Sequence, residues 1–181
     1  MKKSTRIILL SILLSIAIVL GYLESLIPSI PIPGVKLGLA NIIILLSIKN
    51  FRIYESLLIL LLRIVIVSLL LGTFLNVSFF MSLSGGVLSY IAMFLLTLLQ
   101  RRFKKINTIF ISISGAIFHS IGQIIIAIII IDSSKAFYYL PFILLLSIPT
   151  GIITGIIVSK LNTMEIFSNL REKEEWRNFD H

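Results

Sequence analysis

Long apolar runs with very few charged side chains decide what this chain can fold into. Residues 107–131 read NTIFISISGAIFHSIGQIIIAIIII, and five other runs resemble them. Of the 181 residues, 57% are hydrophobic and only 13% are charged. A soluble domain of this length has too little interior to hide that much apolar surface. Lipid is the natural solvent for such runs, because a helix buries its own backbone polar groups. The reading is an all-α integral membrane protein with six transmembrane helices. The helices are expected near 6–27, 37–49, 53–73, 79–100, 107–131 and 137–160. The second is short, as a tilted or partly re-entrant helix would be.

The net charge of +8 would suggest nucleic acid in a soluble protein. Here the basic residues lie between apolar runs and report orientation instead. Lys2, Lys3 and Arg6 precede the first run. Lys49 and Arg52, then Arg101, Arg102, Lys104 and Lys105, occupy the second and fourth connections. Lys160, Arg171, Lys173 and Arg177 follow the sixth run, whereas Lys36 and Lys135 stand on the other side. The positive-inside rule then puts both termini in the cytoplasm. The opening MKKSTRIILLSILLSIAIVLG also has the form of a signal peptide, but its apolar run continues to Ile27, which favours a retained helix. The organisation expected is a six-helix membrane domain, 1–164, and a charged cytoplasmic tail, 165–181.

Within such a domain each polar side chain needs a reason. An ionisable group at the centre of a membrane helix costs about 2.5–3.5 kcal/mol on insertion scales. Arg63 lies mid-way along the third run and should face the interior, either as a ligand or coupling group or in a structural ion pair. Gly115, His119 and Gln123 are spaced by four and stack on one face of the fifth helix. Gly122 beside them admits another backbone or a ligand. Glu24 ends the first helix, Lys36 precedes the second, and Asn41 lies one turn inside it. Glu24 can pair with Lys36 or Arg63, or contact a ligand. With the inferred orientation, Glu24, Lys36, Asn41, Arg63, His119 and Gln123 share the middle and outer half of the membrane. That shared depth makes them the candidate substrate-binding set. Between Glu24 and Asn41, Pro28, Pro31 and Pro33 stiffen the connection and Gly34 lets it turn, so a semi-rigid lid is expected there. A plain connector is the alternative.

Small residues mark close helix approach: Ser11–Ser15, Gly85–Ser89 and Gly151–Gly155. Ser11–Ser15 could instead face a partner subunit, and Pro149 is expected to kink the sixth helix. Catalytic machinery is hard to assemble from this sequence. There is no phosphate-binding G-x-x-x-x-G-K-[ST] loop. The aspartates are Asp132 and Asp180, too few to hold magnesium against a diphosphate. With no cysteine and two histidines, a metal or haem site is not expected, and no cofactor is assigned. Binding is therefore favoured over catalysis.

The stretches ESLIPSIPIPGVKLGLANI, LLRIVIVSLLLGTF, SLSGGVLS and GAIFHSIGQ resemble the Gx transporter family of bacteria, also named heptaprenyl diphosphate synthase component I. The likeness covers about residues 7–160. It implies a bundle similar to the S components of energy-coupling factor transporters, in the bacterial cytoplasmic membrane. Such proteins bind a small molecule in the outer half of the bilayer. A transmembrane coupling protein with two ATPases drives its release. By that likeness Arg63 and Lys36 would meet an anionic group of the ligand. Asn41, His119 and Gln123 would supply hydrogen bonds, and Glu24 would balance the cations. S components often dock through A-x-x-x-A on the first helix, and the nearest counterpart here is Ser11–Ser15. The family's second name implies another role, a non-catalytic membrane partner of a prenyl synthase catalytic subunit. Relatives are also associated with quinone- or flavin-linked extracellular electron transfer.

Overall fold

The computed structural model describes residues 3–26, 38–103, 106–131, 138, 140–164 and 167. They form six helices: α1 (Lys3–Leu26), α2 (Asn41–Asn50), α3 (Ile53–Leu70), α4 (Val77–Arg102), α5 (Thr108–Ile131) and α6 (Leu140–Leu161). All but α2 are long and apolar enough to cross a bilayer. The chain is thus a helical multi-pass membrane protein. The expected second span is only ten residues long, about 15 Å at 1.5 Å per residue. That is half the hydrocarbon thickness of about 30 Å. The proline-rich connection and Lys36 lie outside the described residues, as do Lys135, both aspartates and all of the charged tail except Phe167.

The short α2 is placed by its composition. A helix apolar on every side has no face to offer water and belongs inside other helices. Nine of its ten residues are buried, from Asn41 through Ile48 and again at Asn50. Ile44, Leu45 and Leu46 are among the most enclosed side chains in the protein. The longer helices keep their apolar outer faces exposed, as lipid contact requires, at Ile12 and Val19 on α1 and at Leu95 and Leu99 on α4.

Helix association in lipid gains little from the hydrophobic effect and depends on close packing at small residues. The α4, α5 and α6 triplet shows this directly. A Cβ placed on Gly122 would stand 2.7 Å from the Gly85 Cα, so α4 and α5 touch backbone to backbone. A Cβ on Gly151 would stand 2.6 Å from the Ile113 Cα, and one on Gly155 2.7 Å from the Ile109 Cα. The small-residue pairs on α4 and α6 thus set the two crossings with α5. The α6 helix runs unbroken through Pro149.

The basic ends of the helices are stitched together by side chains. Arg6 donates from Nε and Nη2 to the two carboxylate oxygens of Glu55, at 2.7 and 2.6 Å, joining the starts of α1 and α3. Lys49 Nζ donates to Gln100 Oε1 and Thr108 Oγ1, both at 2.8 Å, joining α2 to the α4–α5 corner. Asn50 Nδ2 donates to Asn162 Oδ1 at 3.0 Å, adding the end of α6. Glu55 also accepts the Arg52 backbone N–H at 3.0 Å, capping α3 after a two-residue turn from α2. The starts of α1, α3 and α5 therefore gather at the same end as the finishes of α2, α4 and α6.

Candidate functional site

Arg63 sits ten residues into α3, and its stem passes over a gap on each neighbour. On α1 the gap is Gly21, where a Cβ would lie 3.8 Å from Arg63 Cδ and 3.3 Å from Val67 Cγ2. On α4 it is Gly86, where a Cβ would come within 3.9 Å of Arg63 Nη2 and 3.0 Å of Ile64 Cδ1. Successive helix residues point about 100° apart. The adjacent glycines of α4 therefore open toward different partners. Gly86 opens toward α3, and Gly85 toward α5, where a Cβ would lie 2.7 Å from the His119 carbonyl oxygen and 3.0 Å from Gln123 Cγ. The pair seats Arg63 on one side of α4 and the His119–Gln123 stripe on the other.

Between these helices lies a cavity of about 20 Å³, lined among others by Glu24, Arg63, Ser82 and His119. Its far wall comes from the end of α3 and the following turn, through Ser68, Leu71 and Thr73. That turn is held by the Thr73 N–H, which donates to the Ser68 carbonyl at 2.8 Å. It passes through Gly72 and Leu75, both with positive φ, at 66° and 63°. Phe74 packs edge-on against Phe79 with centroids 5.1 Å apart, fixing the turn over α4.

The charged members are well enclosed. Glu24 is 4% exposed, Arg63 7% and His119 3%. The Glu24 carboxylate accepts the Gly38 backbone N–H and lines the same cavity as Arg63. Gly38 has φ +84°, and a Cβ there would stand 2.9 Å from Asn41 Nδ2, so this turn brings Asn41 beside the Glu24 contact. Glu24, Arg63 and His119 thus meet at one cavity. Gln123 lies behind His119 against Gly85, and Asn41 lies behind Gly38. Lys36 is outside the described residues. Ser11 and Ser15 are exposed on α1, where Ser15 Oγ donates to the Ser11 carbonyl at 2.9 Å.

Several buried donors and acceptors at this level are unspent. Among the described residues, Arg63 Nε has no hydrogen-bond partner, nor does either terminal atom of the Asn41 or Gln123 amide. Each such group forgoes about 1–3 kcal/mol when it is left without a partner away from water. Buried polar groups are satisfied in the great majority of native structures, so these exceptions single out this level of the bundle. A carboxylate, a guanidinium and an imidazole around one small cavity can recognise a molecule carrying both charge and hydrogen-bonding groups. Among the described residues no cluster of His, Cys, Asp and Glu gathers that could hold a metal ion.

The sequence reading missed Gly21, Gly86 and the α3–α4 turn as parts of this site. The GG pair at 85–86 was the available signal, because two adjacent glycines inside a helix cost stability and need a reason.

In comparisons with known proteins, the family model described as heptaprenyl diphosphate synthase component I matches residues 13–161. No curated protein matches the chain. No solved structure matches it either.

Proposed function

From the premise that the chain belongs to the heptaprenyl diphosphate synthase component I family, we propose that it is a membrane substrate-binding or transport protein. Its site is the cavity of Glu24, Arg63 and His119, and its ligand is a small anionic or amphipathic molecule. The observation that carries this reading is the convergence of three ionisable side chains, with unspent Arg63, Asn41 and Gln123 groups around them, inside an apolar bundle. A structural ion pair alone would leave no reason for Gln123 and Asn41 to be buried nearby without partners. Arg63 meets the anionic group; Lys36, the second cation expected from the sequence, lies outside the described residues. Asn41, His119 and Gln123 give hydrogen bonds, and Glu24 balances the cationic charge. The basic end faces the cytoplasm of a bacterial cell, so the cavity opens toward the outer half of the cytoplasmic membrane. No cofactor and no catalytic step is assigned.

A volume of about 20 Å³ holds about one water molecule. A ligand larger than water therefore requires the cavity to widen. Release through a transmembrane coupling protein with ATPases would use the exposed Ser11–Ser15 face of α1. The test is thermal stabilisation of the purified protein by a panel of carboxylates, phosphates and flavin-like compounds. A compound that stabilises the wild type but neither Arg63→Ala nor His119→Ala supports the site. Equal stabilisation of all three proteins overturns it.

The family description favours a second reading, a membrane accessory subunit of a polyprenyl diphosphate synthase. An accessory role in quinone- or flavin-linked electron transfer belongs to the same class. Stoichiometric copurification with a soluble synthase or redox protein, and no small ligand, would select this reading.

A further inference from the structure

A second cavity lies at the basic end of the bundle, where α2 ends, α3 starts and α4 finishes. Its volume is about 350 Å³, within the range of about 300–1,000 Å³ typical of small-molecule sites. It shares no lining residue with the Glu24–Arg63 cavity, and its α3 residues, Ile53, Tyr54 and Ser56, precede Arg63 by seven to ten positions, about 10–15 Å along the helix.

Its floor and its mouth differ in chemistry. Ile48, Phe51 and Ser56 are buried at the floor, and Phe94 is half-buried beside them. Phe94 stacks parallel to Tyr90 with centroids 6.2 Å apart. Tyr90 is in turn anchored by its hydroxyl, which donates to the Ile53 carbonyl at 2.7 Å and pairs with Ser56 Oγ at 2.9 Å. The wall is therefore rigid. Arg52 and Arg101 are both exposed at the mouth. Arg52 Nη1 donates to the Tyr54 hydroxyl at 3.1 Å, and among the described residues no carboxylate pairs with either guanidinium. Glu55, the nearest acid on α3, is already engaged by both nitrogens of Arg6.

Exposed apolar residues continue from both walls of the groove. One turn beyond Tyr54, α3 exposes Leu58, and beyond Leu98, α4 exposes Leu95 and Ile91. These residues repeat at helical spacing and so extend the two walls away from the arginines and into the apolar belt. We propose that this groove binds a phosphate-headed lipid taken from the bilayer, its headgroup between Arg52 and Arg101 and its chain along Leu58, Leu95 and Leu98. Two guanidiniums without a carboxylate match the net negative charge of an anionic phosphate headgroup, which a zwitterionic phosphocholine offsets with its own cation, and the apolar continuation matches an acyl chain. The inference stands independently of the proposed substrate site.

Native mass spectrometry of the full-length protein, titrated with phosphatidylglycerol and phosphatidylcholine, tests the proposal. The wild type is expected to retain one phosphatidylglycerol in preference to phosphatidylcholine. Each arginine is expected to contribute about fivefold to that preference, so Arg52→Gln with Arg101→Gln should reduce it more than tenfold. Leu98→Trp, which fills the groove and keeps both charges, should reduce it as well. Arg102→Gln, outside the groove, should leave it unchanged. Dodecyl phosphate should displace one phosphatidylglycerol. A preference that survives the double substitution, or that Arg102→Gln weakens equally, overturns the site. Binding of dodecyl phosphate without phosphatidylglycerol assigns the groove to a free phosphate ester and refutes the bilayer source. Cross-links from the groove to Glu172 or Glu174 would assign it to the chain's own tail and refute it likewise.

Discussion

Replacing Glu24 by Gln changes the charge at the site and almost nothing else. The amide keeps the volume of the carboxylate and an oxygen that can still accept the Gly38 N–H. What disappears is the negative charge beside Arg63, a guanidinium only 7% exposed. Breaking a buried pair by removing one partner costs about 3–5 kcal/mol, because the remaining charge stays desolvated. The cavity has room for about one water, which lowers the expected cost to the bottom of that range, about 3 kcal/mol. Arg63→Gln leaves Glu24 in the same position, 4% exposed, and should cost a similar amount. The double variant Glu24→Gln with Arg63→Gln has no stranded charge. It should be more stable than the sum of the single losses by at least about 1 kcal/mol. The assay is reversible unfolding of the four proteins in mixed micelles, read as a double-mutant cycle. Additivity within about 0.3 kcal/mol would mean that the two charges do not sense each other, and would refute the paired-charge account of the cavity.

The glycine contacts separate rigid from yielding neighbours. Gly122→Ala drives a Cβ to 2.7 Å from the Gly85 backbone and should cost about 1–3 kcal/mol. Gly115→Ala meets the Met93 side chain at 2.6 Å, which can rotate away, and its loss in thermal melting should be clearly smaller. Leu75→Gly should stabilise the protein in the same assay by about 1 kcal/mol, because Leu75 holds φ 63° in a region that costs a side chain about that much. Arg6→Ala strips two charged hydrogen bonds from Glu55 and should destabilise the protein by about 1.5–3 kcal/mol in micelle unfolding. Arg6→Lys should recover less than half of that loss, since an ammonium cannot reproduce the two-pronged contact.

The helices were legible because hydropathy alone decides whether a run can sit in lipid. The expected spans overlap the observed helices, and the stripe of Gly115, His119 and Gln123 does pack against α4, with Met93 and Ser89 facing Gly115. The extent of α2 was less legible. Its apolar run continues on both sides of Asn41, and the Gly38 turn that delays the helix depends on a long-range contact with Glu24. The Arg6–Glu55 pair was hidden for the same reason, since 49 residues separate the partners. Arg6 reads from sequence only as one of several basic residues outside the membrane. Arg63 was identifiable from its cost in lipid. The spaces that receive it, at Gly21 and Gly86, were not, because a glycine in a membrane helix reports close approach without saying what approaches. The proposed lid lies outside the described residues, whereas the α3–α4 turn walls the cavity with ordinary residues, Leu71 and Thr73, that carry no periodic signal.

Arg63 is proposed to hold a small molecule. Native mass spectrometry of the protein gently extracted from its own membrane tests it most directly. A small molecule should be retained by the wild type and lost from Arg63→Ala, with both proteins recovered folded. A molecule that persists in Arg63→Ala, or a wild type that emerges with a protein partner and no small ligand, contradicts it.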